Sequence, residues 1–185
     1  LKPVVRPQTP SVKKADDAAH PIDRFVLVQL EKEGTGFSPQ ADSRQLIRRL
    51  SLDLCGLLPE PERVEKFVAE YASPDEKKRE AAYSVLVDEL LASPHLGERW
   101  GRHWLDEARY ADSSGYEKDS PRADVYRFRD WVIRAINDDL PFDQFTIKQM
   151  AGDLLPGATV DDRIPTMFHL MTQFNLEAHI FCQGS

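Results

Sequence analysis

The sequence predicts an all-α fold: a single domain of about seven helices preceded by an extended, proline-containing linker. Three observations carry that reading. Apolar residues recur at three- and four-residue spacing in successive stretches, the period of one helix face. Proline or Ser-Pro opens several of these stretches and glycine closes them, as helix ends require. No alternating run of strand length interrupts them. With 185 residues, 41% of them apolar, the chain can bury one core of ordinary size.

Residues 1–19 carry Pro3, Pro7 and Pro10 among polar residues and have no apolar period, the composition of a linker from something upstream. Helical spacing begins at His20-Pro21, where Ile22, Phe25, Val26 and Leu30 form an inward stripe and Gly34 and Gly36 end it. A second helix spans about Asp42–Cys55, with Leu46, Ile47, Leu50 and Leu54 inward and Gly56 as its stop. Pro61 opens a third, whose stripe is Val64, Phe67, Val68 and Tyr71. Ser73-Pro74-Asp75-Glu76 reads as a capping box for a fourth, with Tyr83, Leu86, Val87, Leu90 and Leu91 inward. Ser93-Pro94 repeats that signal twenty residues on, which predicts a tight helix-turn-helix with the fourth and fifth helices packed together.

The fifth helix, through Trp100, Trp104 and Ala108 to Ala111, places its tryptophans with Leu96 on one stripe. His103, Glu107 and Tyr110 lie along the flank of that stripe, and Asp106 just beyond. Asp112–Pro121 is dense in turn formers and predicts a loop. A sixth helix, about Ala123–Asp138, carries Val125, Phe128, Val132 and Ile136 inward; a seventh from Pro141 to Gly152 carries Phe142, Phe145 and Met150. Trp100, Trp104, Phe128 and Trp131 are expected near the centre. The helical core domain is thus expected over 20–157. Residues 158–185 are expected to form a C-terminal extension, cut short of a longer domain, with one apolar patch at Met167–Met171.

A net charge of −7 argues against a nucleic-acid surface, which needs a basic face. No apolar run approaches the length of a membrane span, and there is no signal peptide; the start at Leu1 reads as a processed or excised segment. Cys55 and Cys182, in neither a CxxC nor a CxxCH pattern, read more readily as two unpaired thiols than as a disulfide.

Three constellations carry chemistry in principle. His103 with Asp106, Glu107 and Tyr110 has the residue types of an acid–base group, an imidazole with carboxylates one turn away; the same spacing also gives ordinary surface pairs. The acids Asp106, Asp112, Glu117, Asp119, Asp130 and Asp153 offer oxygen ligands, but their spacing fails the EF-hand pattern and no Glu-x-x-His exists for a di-iron bundle, so solvated or arginine-paired carboxylates are the simpler reading. The arginines Arg99, Arg102, Arg109, Arg127, Arg129 and Arg134 could hold an anionic substrate, or Arg109 and Arg129 could bridge to Asp130 and Asp106 across two packed helices, the favoured alternative.

Several long motifs occur in order: His20-Pro-Ile-Asp-Arg-Phe; Leu46-Ile-Arg-Arg-Leu with Asp53-Leu-Cys-Gly-Leu-Leu-Pro-Glu-Pro61; Ser93-Pro-His-Leu-Gly-Glu-Arg-Trp-Gly-Arg-His-Trp-Leu-Asp106 with Ala108-Arg-Tyr-Ala-Asp112; and Tyr126-Arg-Phe-Arg-Asp-Trp-Val-Ile133 with Ala151-Gly-Asp-Leu-Leu-Pro156. Over roughly residues 20–175 they resemble the planctomycete cytochrome-associated domain, a domain of unknown function in large exported proteins. Around His169 the chain has Met167, Leu170 and Met171 where that family has small and polar residues. The resemblance implies an extracytoplasmic (periplasmic or exported) setting, an upstream cytochrome-c-like domain, further domains downstream, and haem c on those neighbours. It implies no cofactor on this chain and establishes no reaction. The leading expectation is a helical module of such a protein, in redox or polysaccharide-degrading metabolism. Its polar site would use His103, Asp106, Arg109, Tyr110 and Asp130 for chemistry and Asp112, Arg127, Arg129, Asp153 and His169 for binding. The rival expectation is a non-catalytic scaffold that docks a haem domain or partner protein.

Overall fold

A computed structural model describes residues 3–18, 20–113 and 120–171. Among them are eight α-helices, three short 3-10 segments and no strand, only an isolated bridge between Ser113 and Pro121, so the fold is all-α. No helix among the described residues is long and apolar enough to cross a membrane. Tertiary contacts divide the chain into two units, Leu1–Asp42 and Ser43–Ser185.

The first unit contains α1, Pro21–Lys32. Its start is the capping box of a histidine: His20 Nδ1 accepts from the Ile22 amide at 3.2 Å, and the Asp23 carboxylate accepts from the His20 amide at 2.9 Å. Residues 3–12 are almost wholly exposed. The backbone amides of Lys13 and Lys14 then donate to Glu31 Oε1, which ties the end of that segment to the helix. The expected stripe is corrected here. Leu27 is the buried residue, whereas Ile22, Phe25 and Val26 are exposed, because a unit with one helix has too little mass to cover a whole apolar face.

In the second unit α2 (Ser43–Leu54), α3 (Pro61–Tyr71) and α4 (Glu76–Leu91) close around Ile47, Phe67 and Leu86, with Leu46, Leu50, Val64, Tyr71 and Leu90 packed on them. Tyr83 and Leu91, expected inward, are exposed. The cap of α4 also shifts by two residues: Asp75 accepts from the Lys77 amide at 3.0 Å, and Ser73 Oγ accepts from Asp75. Helix α5 (His95–Glu107) packs principally on α6 (Tyr126–Asn137), and α4 on α2 and α3, so the expected packing of the fourth helix on the fifth gives way.

Glycine is the reason. A Cβ at Gly97 would stand 2.3 Å from the Ile133 carbonyl oxygen, so there the two backbones meet at a distance only glycine permits, whereas one at Gly101 would make ordinary contact with Ile133 Cγ1 at 3.4 Å. Asn137 clasps the crossing: its Oδ1 accepts from the Gly97 amide at 2.7 Å and its Nδ2 donates to the Pro94 carbonyl at 3.0 Å, satisfying end groups of α5 from another helix. With Gly97 and Gly101 inward, Trp100 is rotated out to 46% exposure, which corrects its expected place at the centre.

Helix α7 (Phe142–Ala151) completes the larger core of Ala108, Val125, Phe128, Trp131, Val132, Ala135, Phe145 and Met171. Phe142 and Met150, expected inward, are 70% and 57% exposed. The buried face instead runs Phe145, Gln149 and Gly152. Gln149 Oε1 accepts from the Trp104 indole at 2.8 Å, and Gly152 lies where a Cβ would strike the Asp162 carbonyl. A 3-10 turn (Gly152–Leu154), the short α8 (Val160–Arg163) and a 3-10 stretch (Ile164–Met171) follow, more regular structure than the single apolar patch expected there.

Candidate functional site

Helix α5 ends at Glu107 in a Schellman turn. The Tyr110 amide donates to the Leu105 carbonyl at 2.9 Å and the Arg109 amide to the Asp106 carbonyl at 3.1 Å, which places Arg109 at φ +56°, a position glycine usually fills. This reversal lays the Tyr110 ring against the larger core and sends its hydroxyl to donate to the Asp112 carboxylate. The Arg122 amide fixes Asp112 in turn, donating to its carbonyl at 2.9 Å beside the Ser113–Pro121 bridge. From α6, Arg129 grips its neighbour Asp130 with Nε at 2.9 Å and Nη2 at 2.8 Å.

These four groups share one electrostatic neighbourhood. Burial first, then the hydrogen bond and charge of Asp112, push the Tyr110 phenol up to about 12; Asp130 adds to the rise and Arg129 opposes it. The hydrogen bond from Arg129 to Asp130 holds that guanidinium protonated above even its usual range, against partial burial, with Tyr110 and Asp112 contributing. The phenol therefore stays protonated with its hydroxyl given to Asp112, and the Arg129 cation is fixed against Asp130.

Tyr110, Asp112, Arg129 and Asp130 are thus brought together. His103 and Asp106 lie exposed on α5, the His103 ring 5.6 Å from that of Trp100, and among the described residues no hydrogen bond joins His103 to Asp106 or Glu107. Arg109 is exposed and forms no bridge to Asp106 or Asp130; the pairing expected across two helices is instead the local Arg129–Asp130 contact. Arg127 Nε meets Asp124 at 3.3 Å, with its guanidinium over the Tyr126 ring. Asp153 is exposed in the turn after α7, and His169 Nε2 donates to the Met150 carbonyl at 3.3 Å. Glu117, Asp119 and Cys182 lie outside the described residues; Cys55 is a buried free thiol 3.6 Å from the Leu90 carbonyl.

Among the described residues no three His, Cys, Asp or Glu side chains stand together to hold a metal ion. Two further features lie outside the Tyr110 cluster, the second of them formed by two of the arginines named as a possible anion pocket. Lys148 meets Asp162 at 2.5 Å, and with the Thr159 bonds this holds the Asp162 carboxyl well below the usual carboxylate range. Arg99 and Arg102 border a concavity beside the end of α2.

No curated protein and no solved structure matches the chain. Residues 21–183 match the PSCyt2 family, described as a protein of unknown function (DUF1549), and the chain belongs to that family.

Proposed function

We propose that this chain is a docking module of an extracytoplasmic multi-domain protein of planctomycete type, one that seats a c-type haem domain carried by the same polypeptide. One observation carries the choice of docking over chemistry: the groups best suited to proton transfer are committed to one another, Tyr110 to Asp112 and Arg129 to Asp130. Each carboxylate is held through its Oδ1 by a local partner, Asp112 by Tyr110 and Asp130 by Arg129, and among the described residues no imidazole stands with them to relay a proton. By contrast, α5 presents Trp100 half-exposed with the His103 ring beside it, an aromatic pair of the kind that anchors protein interfaces. The haem domain and the extracytoplasmic setting rest on the motif resemblance. The acidic net charge argues against a nucleic-acid partner.

The experiment is association of this chain with the haem-bearing segment of its own full-length protein, read by calorimetry and by perturbation of the haem Soret band. Saturable binding that Trp100→Ala weakens about tenfold or more is expected. A full-length protein without a haem spectrum, or no association, overturns the reading.

A second reading, ligand turnover at the Tyr110 cluster in redox or polysaccharide-degrading metabolism, is favoured by the raised Tyr110 phenol beside a fixed arginine at the base of a loop. Loss of a measured activity in Tyr110→Phe with unchanged folding would select it.

A further inference from the structure

A concavity of about 490 Å³ lies between the C-terminal end of α2 and α5, walled by Asp53, Cys55 and Gly56 on one side and Glu98, Arg99 and Arg102 on the other. The two arginines stand one turn apart on α5. Arginines beside two carboxylates ordinarily close ion pairs. Here Glu98 is engaged by His95 Nδ1 at 2.7 Å, and among the described residues neither Arg99 nor Arg102 forms an ion pair.

Arg99 is also held in place. Its stem lies on the backbone of Gly56, where a Cβ would stand 2.8 Å from Arg99 Cδ, and its Nε is withdrawn from solvent without a hydrogen-bond partner. Gly56 sits at φ +72°, so its left-handed turn both stops α2 and makes room for the arginine. With its Nε buried against Gly56, the side chain is fixed in place, and the remaining guanidinium donors of Arg99 and Arg102, in no ion pair among the described residues, are the groups that an incoming oxyanion engages.

We propose that this concavity binds a small, singly charged carboxylate that also carries a hydroxyl group. The paired arginines supply donors for the carboxylate. Asp53 and Glu98 on the same wall offset the charge of the two arginines, so the ligand is held by directed hydrogen bonds to the guanidinium donors rather than by a net positive field, which gives a second negative charge no added attraction. Asp53, as an acceptor-only group, takes the hydrogen bond of a ligand hydroxyl. The volume suits a small molecule. Neither Trp100 nor His103, which carry the docking reading, lines the concavity, so the assignment does not rest on that reading.

The test is titration of the whole chain with lactate, acetate and inorganic phosphate, followed by amide and arginine side-chain NMR. Lactate is expected to shift signals of residues 53–56 and 98–102 saturably, bind several-fold more tightly than acetate, and bind about tenfold more tightly than phosphate. The exposed Arg102→Gln variant should keep the melting temperature and lose about tenfold in lactate affinity. Asp53→Asn should erase the preference for lactate over acetate. No saturable shift at about 10 mM lactate, equal binding in Arg102→Gln, or tighter binding of phosphate overturns the assignment, and a lactate preference that survives Asp53→Asn overturns its hydroxyl part.

Discussion

At the centre of the α2–α3–α4 cluster burial follows apolarity: Ile47, Phe67 and Leu86 are the residues any helical-period reading turns inward, and they are withdrawn from water, with Ser51 buried beside them and Tyr83 and Leu91 left exposed at the edge. In the α5–α6–α7 cluster it does not. There Gly97, Gly101 and Gln149 are buried while Trp100, Phe142 and Met150 face out. The first cluster is held by side-chain volume, so its energetics are those of transfer and cavity formation. The second adds to its apolar core of Phe128, Trp131, Val132 and Phe145 a close backbone approach and hydrogen bonds between distant residues, Asn137 to the start of α5 and Gln149 to Trp104.

That contrast predicts different responses to substitution, each read by urea denaturation. Phe67→Ala opens a cavity in the smallest tight cluster and should cost about 3–5 kcal/mol. Gly97→Ala should cost about 3 kcal/mol, because the new methyl meets the Ile133 carbonyl rather than a movable side chain, whereas Gly101→Ala should stay within about 1 kcal/mol. Equal effects at the two glycines would remove the close-approach explanation. Gln149→Leu keeps the apolar volume but orphans the Trp104 indole, a loss of about 1–3 kcal/mol; a neutral result would show that packing alone holds that end of α7.

The smallest effect is pH-dependent. Folding lowers the Asp162 carboxyl below its ordinary value near 3.8, so the Lys148–Asp162 contribution is present at neutral pH and is lost as pH falls through the lowered value. Below about pH 4 the stability of the native chain should therefore fall more steeply than that of Asp162→Asn. Parallel curves would mean the ion pair does not couple to folding.

Helix starts and stops were legible because proline and glycine act locally: Pro21, Pro61, Gly34 and Gly56 mark ends where the structure has them. The facing of α5 was not, since a glycine pair carries no hydrophobic signal and its partner, Asn137, lies forty residues away. Of the candidate site, the sequence named Tyr110, Asp112, Arg129 and Asp130 but grouped them with His103 and Asp106. Helical spacing places those residues on one flank, yet the Schellman turn at Arg109 carries Tyr110 off the helix and toward Asp112. A positive φ at an arginine has no compositional mark.

The central claim is that α5 works through its exposed aromatic face and that the Tyr110 cluster is structural. Comparing Trp100→Ala with Tyr110→Phe for association with the haem-bearing segment tests it most directly. Trp100→Ala is expected to weaken association about tenfold and Tyr110→Phe to leave it unchanged. The reverse pattern would contradict it.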